Sequence, residues 1–303
     1  MSGLLGLFFA SLTAIFKSSS SIVSKELLDT DIGPYASSWA LRVFAIPILL
    51  VAVVFSGGIP EIEQNEFLLF LTISSIGGVI GTVSYMKALD LGDISLVDPI
   101  SALSPLLLLI TTPLIVNEIP SVLGLIGVMV IVSGVYLLKV EETNDVHSHS
   151  KTKTILSPFQ RLIGEPATKY VVILLIMYSI TAPVDKLAIE ASGPIMYSLS
   201  LHIFQSIVLT GLLIWKSDSL KSDVWSKDTL KLSSIGVLSG IASMFQMIAL
   251  TYTLVIYVTS IKRLGTLIGT VWGIFIRKES GGPFRILGTV LIIIGTILIT
   301  LSL

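Results

Sequence analysis

Lys262 and Arg263 stand side by side in Tyr257–Glu279, YVTSIKRLGTLIGTVWGIFIRKE, a stretch otherwise apolar and long enough to cross a bilayer. Each cation held in hydrocarbon costs roughly 2.5–3.5 kcal/mol even on the lenient insertion scale, so the pair implies a cavity, a counter-ion or a ligand that meets it. Tyr252, Thr259, Arg263, Thr266 and Thr270 recur at the spacing of one helical face, with Lys262 about 100° to the side. Thr13, Lys17, Ser20 and Ser24 form a second such stripe in the first apolar stretch. The two stripes are the expected lining of a solvated path; the competing reading is that their hydroxyls bond carbonyls inside a helix bundle. Arg42 lies roughly 12 Å into the stretch opening at Pro34, and Lys17 is about as deep. Both either snorkel to the interface or join the path. His202 either senses protons near neutral pH or makes a hydrogen-bonded helix contact. Gln246 is a candidate donor to a solute, and Asp98 a counter-ion for Arg263 or a proton-coupling carboxylate. This set suits binding of a small polar solute with an anionic end.

Catalysis and metal chemistry find little support in the residues. The chain has no cysteine, and no HExxH, GxSxG or Asp-rich motif occurs in suitable context. His147 and His149 lack the further ligands a metal needs. No cofactor or metal is expected. An intramembrane enzyme acting on a lipid or isoprenoid is the alternative from a different class, and a non-transporting scaffold or receptor a third. The third predicts buried charges that pair off and leave no solvated cavity.

The elements that must position these residues are membrane helices. Of 303 residues, 53% are hydrophobic and 13% charged, where soluble domains carry about 25% charge. A net charge of −1 argues against a nucleic-acid binder, which would show a basic patch. Apolar stretches of spanning length fall at Leu4–Val23, Pro34–Phe55, Phe67–Leu89, Ile94–Val116, Ser121–Leu138, Tyr170–Leu187, Pro194–Trp215, Thr229–Tyr252, Leu254–Ile276 and Phe284–Leu303. The first lacks a basic lead and a small-residue cleavage site, and reads as a retained span. Backbone in lipid must satisfy its own hydrogen bonds, and no alternating polar strands occur, so the fold class is an all-α integral membrane protein with ten transmembrane helices.

The ten helices form two copies of a five-helix unit. Lys25 and Lys186 lie 161 residues apart, as do Glu118 and Glu279, Gly127 and Gly288, and Gly134 and Gly295. Gly33-Pro34 matches Gly193-Pro194, and SSIGGVIGTVS from Ser74 matches SSIGVLSGIAS from Ser233. Gly77 and Gly81 thereby match Gly236 and Gly240, which read as close-packing positions. The organisation is residues 1–140, a polar linker over 141–168, and residues 169–303. Five helices per unit oblige the second copy to enter from the opposite face, giving a 5+5 inverted-topology repeat, an arrangement typical of secondary transporters with a site near the midplane. By this alignment His202 corresponds to Arg42, Gln246 to Lys87, Thr259 to Asp98, and Lys262-Arg263 to Ser101-Ala102.

The duplicated unit, with Glu118, Gly127 and Gly134 echoed by Glu279, Gly288 and Gly295, resembles the EamA-type drug/metabolite transporters. The segment from Ser84, SYMKALDLGDISLVDPISALSPLLLLI, is similar to that family's third-to-fourth helix hairpin. The resemblance covers all but the linker and implies a permease that moves a small organic solute by alternating access. Lys262-Arg263 further resembles the paired cations of the sugar-phosphate and triose-phosphate translocators, where the pair meets substrate phosphate. EamA-type proteins carry such a pair without a phosphate substrate, so phosphate does not follow. Thr266 replaces Pro105 in the second half, so the kink expected at Pro105 is expected to be absent there.

The expected partners are a small-molecule solute, H+ or a counter-solute, the lipid bilayer and a second copy of the chain in a homodimer. The expected location is the cell membrane, as a multi-pass protein. Loop cations, among them Lys139, Lys151, Lys153, Lys216 and Lys278, gather on the linker side, which the positive-inside rule places in the cytoplasm with both termini outside. The resemblance implies the reverse orientation. Glu118 and Glu279 are expected to face the first turn of the helix that follows each.

Overall fold

A computed structural model describes residues 2–28, 32–58, 62, 64–91, 101, 103–147, 166–216, 229–267 and 283–303. The helices are α1 (Ser2–Leu28), α2 (Pro34–Val43), α3 (Ile46–Phe55), α4 (Gln64–Leu91), α5 (Ser104–Val116), α6 (Val122–His147), α7 (Pro166–Ser192), α8 (Pro194–Lys216), α9 (Thr229–Tyr252), α10 (Val255–Ile261) and α11 (Pro283–Leu301). Among the described residues six helical stretches meet the length and apolarity of a bilayer span, and Ser104–Val116, Val122–Leu137 and Ile286–Leu301 are shorter apolar helices. With the segment opening at Val255 these make the expected two-repeat, all-helical membrane fold. Val54, Phe55, Ile110, Leu114, Ile207 and Ile214 are exposed on the outer faces; such an apolar surface is stable only against lipid.

The second span runs over Pro34–Phe55 as expected and carries a turn at Phe44–Ala45. Pro47 follows the turn at Phe44–Ala45; its ring has no N–H and clashes with the carbonyl four residues back, so α2 and α3 separate there.

Helix pairing follows an inverted two-fold relation. α1 packs on α9 and α7 on α4, each joining one half to the other, while α6 packs on α11. Ser20 of α1 donates to the Ile235 carbonyl at 3.2 Å, beside Gly236, and its counterpart Thr181 of α7 lies against Gly77. The α6–α11 crossing is the tightest. A Cβ on Gly127 would sit 2.8 Å from the Gly295 carbonyl oxygen, and one on Gly134 would sit 2.8 Å from that of Gly288. Gly127 thus meets the counterpart of Gly134, and Gly134 the counterpart of Gly127, as an isologous contact requires. Only glycine allows the two backbones so close. Gly3 lies against Leu303, so both termini share one face, opposite the ends of α6 and α7 that flank the linker. α6 continues to His147, past Val140. His149 and the Ile155–Ile163 portion of the linker lie outside the described residues.

Candidate substrate site between the two halves

The site is built on two helix starts related by the repeat. α5 opens at Ser104 after a turn at Leu103, with Pro105 in its first turn, where a missing N–H costs nothing. In the second half α10 ends at Ile261, Lys262–Leu264 form a 3-10 turn, and α-helical turns resume at Gly265, the counterpart of Ser104. A 3-10 turn therefore precedes Thr266, as the turn at Leu103 precedes Pro105. Thr266 donates its hydroxyl to the Arg263 carbonyl at 2.7 Å, so the chain turns here without proline. Close approach of α1 also holds the turn: Ser18 donates to the Gly265 carbonyl at 2.8 Å, and a Cβ on Gly265 would sit 2.8 Å from the Ala14 carbonyl oxygen.

The two cations at the turn do different things. Arg263 reaches across to the first half, donating from Nη2 to the Ser101 carbonyl at 2.6 Å and to Ser104 Oγ at 2.5 Å. It ties one helix start to its repeat counterpart. Lys262 points the other way, donating to Gln246 Oε1 at 2.6 Å and to Tyr178 Oη at 3.0 Å. Its ammonium also lies 5.2 Å from the centre of the Tyr178 ring. Thr259 is buried and exchanges a 3.3 Å hydrogen bond with the same Tyr178 hydroxyl. Arg42 is turned inward, donating from Nη2 to Thr82 Oγ1 at 2.6 Å, with Nη1 3.4 Å from His202 Nε2. His202 Nδ1 lies 2.8 Å from the Ser198 carbonyl, which can only accept; the proton is on Nδ1 and Nε2 offers its lone pair to Arg42. These repeat counterparts meet each other.

Lys17 completes the set. Its ammonium lies 5.8 Å from the centre of the Tyr85 ring, and it feels the charges of Arg42 and Lys262. It is exposed, although it lies deep along α1. Arg42, Thr82, Tyr85, Tyr178, Gln246 and Lys262 are each only half-buried around it. The α1 stripe takes the second of its two readings, hydroxyls bonded to carbonyls, and the stripe through Thr259 is shortened. Thr13, Ser20 and Ser24 are buried: Thr13 and Ser24 bond carbonyls of their own helix, and Ser20 bonds one across to α9. Tyr252 closes α9, and the backbone turns at Thr253–Leu254 before α10, so it does not continue the Thr259 face. Asp98 and Thr270 lie outside the described residues.

Two acids carry roles that sequence reasoning missed. Glu118 pairs with Lys186 and its other oxygen accepts from the Val255 N–H at 2.9 Å. It caps α10 in the other half, not the helix that follows it, while Lys186 also donates to the Thr253 carbonyl at 3.2 Å. Tyr257 then bonds the Ser121 N–H at 3.2 Å. Asp185 of α7 is buried and accepts from the Tyr197 hydroxyl at 2.5 Å. Its signal was present as an acid inside an apolar run. Nothing in the sequence marked Tyr178, Tyr85 or Thr82.

The fold and this site together define a multi-pass membrane protein of two inverted repeats. The model of the EamA-like transporter family matches residues 4–140 and 167–301, and the chain belongs to that family, within the drug/metabolite transporter superfamily. It is 26% identical over 115 residues to the WAT1-related protein At3g02690, chloroplastic, of Arabidopsis thaliana. That match takes in 36% of this chain and 28% of the relative's length. A solved crystal structure shares the fold at a TM-score of 0.72 and 14% identity, over 99% of this chain and 96% of that one. A small-molecule solute and a membrane setting follow from the family. Among the described residues no cluster of three or more His, Cys, Asp or Glu could hold a metal ion.

Proposed function

We propose that the protein is a secondary transporter of the cell membrane that moves a small anionic metabolite by alternating access between its two halves. The observation that carries this reading is the convergence of Lys17, Arg42 and Lys262, from α1, α2 and the α10 turn, with Lys17 exposed and the other two only half-buried. The partners of Arg42 and Lys262 are neutral: Thr82, His202, Tyr178 and Gln246. A scaffold would pair such charges internally, because an unmatched cation in hydrocarbon is costly. An anion arriving among them gains charge-assisted hydrogen bonds without displacing a carboxylate from either residue. Lys262, Lys17 and Arg42 hold the solute in this reading, and Arg263 positions the turn.

A thermal-shift screen of carboxylates, phosphate esters and neutral sugars tests it first. A ligand at 100 times its Kd stabilises by about 2.7 kcal/mol, so anions raise the melting temperature and neutral sugars do not. Uptake of the responding compounds into proteoliposomes follows. Lys17→Met and Lys262→Met variants that transport unchanged would overturn the reading. Labelling Ser2→Cys and Ser148→Cys variants from each side tests the orientation that loop charge favours, with the linker cytoplasmic; linker label entering only from outside reverses it.

A further inference from the structure

Asp185 is an acid that the transport reading leaves unused. It lies roughly 10 Å from the end of α7 at 1.5 Å of rise per residue and is 7% exposed. Its hydrogen-bond partner is Tyr197 Oη at 2.5 Å, and no described cation lies within 4.0 Å of it. The charges that reach it come from Lys262 at the α10 turn and Arg42 of α2; Tyr197 faces it from α8, and Ser74 of α4 lies beside it. A carboxylate with so little direct compensation is expensive as an anion in a membrane interior, where such acids carry protons.

The place of Asp185 on α7 gives that proton something to act on. Tyr178, seven residues earlier and on the same face, holds Lys262. Lys186, the next residue, pairs with Glu118 of the first half and holds the Thr253 carbonyl. One helix therefore links the cation cluster, the acid and the ion pair that joins the halves at the face of the termini.

We propose that Asp185 is a proton-binding site of the transport cycle, an inference that rests on the transporter reading above. The carboxylate takes a proton from hydronium, leaving water, and returns it to water later in the cycle; no other bond changes. Lys262 and Arg42 are the cations whose charge reaches the carboxylate. An anionic solute among them offsets that charge, so solute and proton enter together.

Infrared difference spectroscopy of the purified protein in lipid nanodiscs, titrated with acid and base, reads this without any solute. The wild type shows a protonated-carboxyl C=O stretch that comes and goes reversibly with pH. Asp185→Asn removes it, Tyr197→Phe moves its frequency, and Lys262→Met displaces the pH at which it appears. A band that survives Asp185→Asn, or a titration unmoved by Lys262→Met, overturns the proposal. If Asp185→Asn does not fold, Tyr197→Phe decides alone: a frequency that stays put overturns it. A failed uptake experiment leaves this result standing, so the two readings fail separately.

Discussion

Ser101 in the first half and Lys262 in the second are repeat counterparts at corresponding helix starts, yet one presents a carbonyl to Arg263 and the other an ammonium to Tyr178 and Gln246. Arg42 and His202 are counterparts across the same relation, one a permanent cation and the other a neutral acceptor. Asp185 likewise stands where the first half has Ser24, 161 residues earlier. Against these, Gly127, Gly134, Gly288 and Gly295 agree in both halves and meet each other at the α6–α11 crossing. The backbone follows the symmetry and the charges depart from it. A pseudo-symmetric pair of halves can exchange access from one face to the other, whereas a solute with one charged end needs an asymmetric place to put it.

The symmetric part is the most easily broken. Gly134→Leu places a branched side chain where even a Cβ would sit 2.8 Å from the Gly288 oxygen and 2.9 Å from the Ile292 nitrogen. Neither neighbour is a flexible side-chain tip, so the helices must part along the crossing. We expect little folded monodisperse protein by size-exclusion chromatography in mild detergent. Recovery at wild-type yield would mean that the crossing does not hold the halves together.

The asymmetric part should yield function without fold. Lys262→Met keeps length and apolar bulk while removing the charge, and its partners Tyr178 and Gln246 are only half-buried. A hydrogen bond to a charged group contributes about 1.5–3 kcal/mol, equivalent to roughly ten- to hundred-fold in affinity. We expect a loss of that size in apparent solute affinity, with the melting temperature little changed. Arg263→Ala should do the opposite first and lower the melting temperature, because it releases the Ser101 carbonyl and the Ser104 hydroxyl of the other half. Equal thermal loss in both variants would erase the distinction between a solute-facing and a positioning cation.

The Arg42–His202 contact allows an exchange experiment. His202→Arg alone sets two guanidinium groups against each other, and Arg42→His alone removes the donor to Thr82; each should cost roughly 1–3 kcal/mol. The double exchange Arg42→His with His202→Arg restores one donor and one acceptor on the pseudo-axis. Thermal unfolding of the four proteins should show the double variant recovering most of the loss. Additive losses would mean that the surroundings of the two positions are not equivalent.

How much of this could be read in the sequence depended on what kind of pattern carried it. The span order, the duplication and the depth of Lys17, Arg42 and Lys262 follow from periodicity and offset, which one chain displays in full. Partners do not. Tyr178 reaches Lys262 only because α7 of the second half packs against the α10 turn, and no spacing encodes that. The polar stripe of α1 left two readings open for a physical reason: Thr13, Ser20 and Ser24 fall on a helical period whether they face water or a neighbouring backbone. Glu118 did mislead, since a carboxylate beside one helix start on the chain caps a different helix in space.

The mildest test bears on the helix starts themselves. Thr266 occupies in the second half the place that Pro105 holds in the first, both one residue past the point where helical turns begin, at Gly265 and Ser104. A first-turn N–H has no partner within its helix, which is why proline is tolerated at Pro105 and pre-sets the backbone angle there. Thr266→Pro forfeits the hydroxyl bond to the Arg263 carbonyl, a loss of about 0.5–1.5 kcal/mol, partly offset by the restricted unfolded chain. The variant should fold, melt within a few degrees of the wild type and retain solute affinity within a few-fold. A helix running unbroken through Lys262–Leu264 would instead lose interior hydrogen bonding to proline, at about 3 kcal/mol or more. A collapse of stability in Thr266→Pro would therefore show that the second half does not turn where the first half does, and the correspondence between Ser101 and Lys262 would fall with it.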